Sequence, residues 1–201
     1  MQQKLILPIN NAKLTASIDT KAYFDRFGFR HYGSDMVSTK NNTTVYASGT
    51  GKVIATGWDN ACGNIVVVVY HNAYNRRSGQ CLNITVRYFH LASVDVYAGQ
   101  NTTKDTKLGN YGQTGLYGGT GAHIHMEADT DTRNVLYTPT LRASNYLRGT
   151  QQGAYSFDGP KNTVINMMDF LHCKTSFPDL QTYITAGDAY IRIEDKSILQ
   201  I

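Results

Sequence analysis

Three short clusters hold the side chains best suited to chemistry: His31-Tyr32-Gly33-Ser34-Asp35, Tyr88-Phe89-His90-Leu91 and His123-Ile124-His125. Imidazoles and carboxylates are zinc ligands, and imidazole also exchanges protons near neutral pH. His123 and His125 are two apart on a strand-like run, so period-2 geometry turns both rings to one face. One ring can then bind a metal while its neighbour addresses a substrate beside it. His31 and Asp35 are four apart, a helical spacing. Gly33 and the lack of helical periodicity instead predict an irregular, bent segment on which both side chains converge. Two imidazoles plus one carboxylate leave a metal position open, which is the catalytic pattern, because structural zinc sites are closed by four protein ligands.

The segments around these clusters read as strands. Thr44 to Ser48, Lys52 to Trp58, Asn64 to His71, Leu82 to Leu91 and Ala122 to Ala128 follow one another at short intervals. The run Ile65-Val66-Val67-Val68-Val69 is continuous and almost wholly β-branched, as expected of a strand buried on both faces. Polar residues 72–80 read as a hairpin loop. No amphipathic helix stands among these runs, and Gly (18) and Tyr (14) are abundant. The fold expected is mainly β, a compact antiparallel sheet with long loops and few short helices. Val164 to His172 reads as one short helix, and 182–201 alternates as if adding strands.

Composition narrows the function classes. The formal charge is +4, from 19 basic and 15 acidic residues. The basic residues are scattered, whereas a nucleic-acid binder concentrates them in a stripe, so no nucleic-acid partner is expected. A mildly cationic surface suits an anionic polymer such as a cell wall. No run approaches the roughly 18 apolar residues of a membrane span. The apolar stretch Leu5-Ile6-Leu7 is too short for the core of a signal peptide. Cys62, Cys81 and Cys173 lack the paired spacing of a structural zinc site, leaving open a Cys62–Cys81 bridge or three reduced thiols.

Taken together and in order, the clusters resemble the lysostaphin/LytM-type zinc metallopeptidases, which cut peptide bonds in bacterial peptidoglycan. The H-x-G-x-D signature of that family corresponds to HYGSD at 31–35. Its glycine-punctuated strand pair resembles VYASGTGKVIATGW followed by GNIVVVVYH, its Y-x-H-L element resembles YFHL at 88–91, and its H-x-H-x-E signature stands in GQTGLYGGTGAHIHME at 112–127. The resemblance implies a single Zn2+ on His31, Asp35 and His125, with His90 and His123 in catalysis. It also implies a groove over the metal and a peptidoglycan peptide as substrate, so that the protein acts at the bacterial cell wall. A bound zinc ion lowers the pKa of its water towards about 7. The helical H-E-x-x-H motif with its glutamate base is absent, which leaves His90 and His123 as the candidate bases, in either assignment.

Other residues have plainer expectations. Glu127 is either a partner of His125 or a structural carboxylate. Tyr32 and Tyr117 default to packing, and His71 and His172 to structural roles. The TGLYGGTG run lacks the G-K-[ST] ending of a phosphate loop. Residues 1–128 are expected to form the metallopeptidase core, 129–163 an insertion or long surface loop, 164–173 a closing segment of the catalytic domain, and 174–201 an extension of unknown role. A phage lysin fits the absence of a visible leader. The competing readings are a non-enzymatic wall-binding or scaffold protein of the same fold, and a zinc peptidase with a substrate outside the wall.

Overall fold

The computed structural model describes residues 1–28, 31–133, 135–136 and 163–172. The strand-like run at the N-terminus forms β1 (Leu5–Ile6) and β2 (Ala12–Ala16), and a short helix α1 (Lys21–Phe27) follows. The site-bearing sheet is built from β3 (Ser34–Ser38), β4 (Thr44–Tyr46), β5 (Gly51–Asp59), β6 (Gly63–Tyr74), β7 (Cys81–Val94), β8 (Asn101–Thr102), β9 (Lys107–Tyr111) and β10 (Ile124–Asp129). The chain returns with β11 (Val164–Ile165) and β12 (Leu171–His172). Strand order is β2-β3-β10-β7-β6-β5-β8, all antiparallel, with β11 on β10 and the β4–β9 pair joined to β7. The mainly β expectation holds.

Alternation divides the central strands into two faces. Val66 and Val68 of β6, Val86 and Tyr88 of β7, and Ile124, Met126 and Ala128 of β10 enter the main core, with Met36, Leu5 and Phe170. Each buried Val, Ile, Leu, Met or Phe among them stabilises the fold by about 1.5–3 kcal/mol relative to exposure. The opposite face carries Val67, Arg87, Phe89, His125 and Glu127, matched across strands by the registers Val67↔Arg87, Arg87↔Glu127 and Phe89↔His125. Val67 is fully buried too, so the β-branched run is covered on both sides as its composition predicts. Behind His125, Arg87 is fully buried and lies 3.3 Å from Asp129, with its Nε donating to Val135 O at 2.5 Å. Truncating either partner of such a buried pair typically costs about 3–5 kcal/mol.

Three local readings change. Helix α1 was not legible in the sequence, because seven residues are too few for a period-3.6 signal and none of them is buried. It stops at Gly28, whose φ of 76° is left-handed and whose N–H donates to Phe24 O. Val164 to His172 is not one helix. Asn166 Oδ1 accepts the Met168 N–H and starts a single 3-10 turn over Met167–Asp169, between a strand on β10 and a strand parallel to β1. Met167, Met168, Phe170 and Leu171 are all buried, and their i, i+3, i+4 spacing is equally that of an apolar helix stripe, so the pattern alone does not separate the two paths. Finally, Cys62 and Cys81 are unbridged, one buried and one exposed. They stand at opposite ends of β6, which separates them by its full length. Residues 137–162 of the expected insertion, Cys173, and the alternating 182–201 segment lie outside the described residues.

His172 supplies a pH signature of this closure. Burial, together with the charges of Arg76 and Lys4, pushes its imidazole down to about 4. An unfolded chain binds that proton near pH 6.5. Between pH 6.5 and 4 the unfolded state therefore holds more protons, and stability falls as pH drops through that window. Thermal unfolding of wild type and His172→Gln at pH 7, 5.5 and 4 should show wild type losing Tm relative to the variant on acidification. Parallel curves would exclude the effect.

Candidate metal centre

Asp35 sits on β3 directly opposite His125 on β10, so one strand pairing brings these two groups together. His31 precedes β3 in an irregular stretch, where Asp19 N–H donates to its carbonyl at 2.7 Å. Its ring then reaches over Gly33. A Cβ on Gly33 would lie 2.4 Å from Met126 O and 2.5 Å from His125 Nε2, so only glycine leaves room for the His125 ring. His31 Nε2, Asp35 Oδ1 and His125 Nδ1 converge at 3.1, 3.0 and 2.8 Å pairwise, all three residues at most 9% exposed. The bent approach expected of 31–35 is present, although Asp35 itself lies on a regular strand.

His90 reaches the site by a different device. Strict alternation after Tyr88 in the core and Phe89 on the site face would return His90 to the core. The register between β6 and β7 instead slips between Asn64↔Leu91 and Val66↔Tyr88, one extra residue on β7. His90 adopts φ 62° within that bulge, a left-handed conformation that costs a non-glycine residue about 1–2 kcal/mol. Its N–H donates to Cys62 O and its carbonyl accepts from Gly112 N, while His123 N–H donates to Gly112 O. Gly112 thus ties the backbones of both outer histidines together. The His90 and His123 ring centroids are 4.9 Å apart, and His90 and His125 5.9 Å. His123 and His125 face the same way, as period 2 requires.

Hydrogen bonds orient every imidazole. A backbone carbonyl can only accept, so Nδ1 carries the proton in His31 (to Ser17 O, 2.9 Å), His90 (to Thr114 O, 2.8 Å) and His123 (to Gly121 O, 2.7 Å). In each ring Nε2 is left as the lone-pair nitrogen, and in His31 and His123 it lies 3.1 and 3.7 Å from Asp35 Oδ1. His125 is reversed: its Nδ1 faces the cluster and its Nε2 faces Glu127 Oε1 at 3.6 Å. Tyr23 of α1 stacks on the far side of His31, with centroids 4.2 Å apart at 15°. The sequence carried no signal for that contact. Tyr32 is buried, Tyr117 packs against the small cluster of Ala61, Cys62, Ile65 and Phe89, and His71 is exposed.

The donor set fits a metal cation. Two imidazole lone pairs and a carboxylate oxygen facing one another at about 3 Å repel unless a positive charge lies among them. Their electrostatics agree. Burial alone would push Asp35 up, but His31 and His125 hold its carboxyl well below the usual range. Burial alone would push His125 down, yet the Asp35 carboxylate bonded to its Nδ1 and the Glu127 carboxylate 3.6 Å from its Nε2 outweigh it and raise the ring to about 9. His90 differs. Burial, then the nearby His125 and His123 charges, lower it to about 4, so it stays neutral at pH 7. The centre therefore favours a cation at His31, Asp35 and His125, beside one neutral imidazole.

A family described as peptidase family M23 matches residues 29–136, a span that contains all five of these residues. The chain belongs to peptidase family M23. The M23 domain is 34% identical over 97 residues to the peptidoglycan DD-endopeptidase ShyA of Vibrio cholerae serotype O1, covering 48% of this chain and 20% of that protein. It is 31% identical over 105 residues to ShyB of the same organism, covering 52% and 22%. The chain thus spans under a quarter of the length of these curated relatives. Among solved structures, a zinc-containing peptidase from Vibrio cholerae aligns with TM-score 0.51 and 26% identity, over 63% of this chain and 37% of that one. The structure of the SpoIIQ–SpoIIIAH pore-forming complex aligns with TM-score 0.53 at 18% identity, over 65% and 86%, a likeness of fold alone.

Glu127 makes one consequence measurable. It is fully buried, and its carboxylate faces the only ring nitrogen of His125 that points away from the cluster. Such a partner selects the tautomer that leaves Nδ1 free for a metal. Glu127→Gln should weaken zinc binding about 10–100-fold in a chelator competition. Unchanged affinity would mark Glu127 as purely structural.

Proposed function

We propose that this M23 domain is a zinc metalloendopeptidase that hydrolyses peptide bonds of bacterial peptidoglycan, at a stem cross-link or an interpeptide bridge. The observation that carries the reading is the convergence of His31 Nε2, Asp35 Oδ1 and His125 Nδ1 beside the rings of His90 and His123, whose centroids lie 4.9 Å apart. His31, Asp35 and His125 would hold one Zn2+, and when bound it would supply Lewis acidity toward the scissile carbonyl and a more acidic water. His90, neutral and oriented by Thr114 O, is the better placed proton acceptor. His123, held by Gly121 O, points its Nε2 to within 3.7 Å of Asp35 Oδ1 and lines the approach to the centre. Together they would take the proton of the attacking water and return it to the leaving amine.

The substrate class draws support from the two relatives, both peptidoglycan DD-endopeptidases by name, and an activity on that substrate would be exerted at the cell wall. Fold alone would not carry it, since a similar fold also occurs in a pore-forming complex. The five site residues argue against a purely non-enzymatic scaffold. Residues 1–128 with 164–173 would form the catalytic unit, because β11 and β12 pair with β10 and β1. Residues 129–163 would then be an insertion able to restrict one end of the groove.

The test combines metal analysis with digestion. Purified protein should carry about one zinc ion per chain and release soluble fragments from purified walls. Mass spectrometry of those fragments names the bond. Bound zinc without release from any of several wall types would overturn the wall substrate, and release by phage-sensitive walls in turbidity assays would extend the reading to a lysin.

A further inference from the structure

A groove of about 380 Å3 opens from Asp35 and His123 along the face formed by the end of β2 and helix α1. Thr15, Ser17 and Thr20 offer hydroxyls along its wall, and Tyr23 and Phe27 offer ring surface. Among the described residues, Arg26 is the single basic side chain other than histidine that lines it. The other charges nearby are already matched. Lys21 pairs with Asp25 at 2.5 Å, and Asp35 is engaged by His31 and His125. Arg26 makes no ion pair with any described residue. Its guanidinium lies 5.0 Å from the Phe27 ring, a cation–π contact that holds the head at the groove wall without using its hydrogen-bond donors.

We propose that Arg26 is a specificity-determining residue that anchors a carboxylate of the substrate peptide within the groove leading from the metal centre. The inference rests on the peptidase reading above and adds the charge its substrate must carry. A guanidinium presents a planar fork of donors that matches a carboxylate in two parallel hydrogen bonds, which a lysine cannot reproduce. A peptide that threads past His123 along the hydroxyl-lined wall meets this fork as the one charge on its path, among the described residues, without an ion-pair partner. A carboxylate close to the scissile bond would be held there, and a carboxamide at the same position would not.

The alternative for Arg26 is a helix role. It lies in the last turn of α1, where a cation stabilises the helix end. The experiment separates the two. Zinc-loaded wild type, Arg26→Gln and Arg26→Lys are titrated calorimetrically with two stem peptides, identical but for a terminal carboxylate or carboxamide. The same proteins are then assayed on cross-linked dimers bearing free or amidated carboxylates. Wild type should prefer the carboxylate about tenfold, Arg26→Gln should lose that preference, and Arg26→Lys should keep only part of it. The change should appear in KM and not in kcat, with Tm unaltered. A preference that survives in Arg26→Gln would place the carboxylate elsewhere, on the metal first of all, and overturn the proposal, as would the absence of any preference in wild type. Loss of preference in binding with no cleavage of any dimer would sustain the anchor and defeat the peptidase reading instead.

Discussion

His125→Ala is expected to abolish both metal binding and hydrolysis. The ring contributes a nitrogen that lies 3.0 Å from His31 Nε2 and 2.8 Å from Asp35 Oδ1. Without it only two ligands remain, one short of the set that catalytic zinc sites use. Zinc content should fall from about one ion per chain to a trace, and wall hydrolysis by more than about a thousandfold, since the reaction loses its Lewis acid. The fold should survive at lower stability, because a buried imidazole leaves a cavity beside Glu127. Metal analysis and thermal unfolding on one preparation check both parts. A variant that keeps a full equivalent of zinc would show that the ligand set has been drawn wrongly.

His90→Ala separates catalysis from metal binding. His90 gives no atom to the cluster of three, so zinc content should remain at the wild-type level. Removing a positioned proton acceptor typically lowers the rate about 10²–10⁴-fold, and the loss should fall on kcat with KM nearly unchanged. The backbone adds a control. His90→Gly removes the same imidazole but accommodates φ 62° without strain. It should be as inactive as His90→Ala and at least as stable. Near-normal kcat in both variants would transfer the role to His123.

Much of this centre is legible in the chain. The two-residue spacing of His123 and His125 requires a shared face once the segment is a strand, and β10 is one. The β-branched run from Ile65 to Val69 requires a strand buried on both sides, which β6 is. Gly33 falls between His31 and Asp35 because the His125 ring occupies the space a Cβ would fill. The segments that misled are the ones whose local signal is weak. Helix α1 has seven residues, too few to leave a readable period. Val164 to His172 is dense in apolar residues because it threads through the core as a strand, a turn and a second strand, and density alone does not distinguish that path from a helix.

The sequence by itself determined the residue types able to hold a metal and move a proton, and the strands that carry most of them, because strand periodicity is local and survives without knowledge of neighbours. It did not determine how His90 joins them. Simple alternation sends that ring into the core, and only pairing with β6 and β9 creates the bulge that turns it to the metal face. The tautomers of His31 and His90 were likewise settled by carbonyls 14 and 24 residues away in sequence, brought close by folding, while that of His123 depends on a carbonyl two residues away. Tyr23 on His31 and Arg26 on the groove wall arise from a helix whose position depends on what it packs against. Local spacing selects the chemical groups, whereas register and long-range hydrogen bonds aim them.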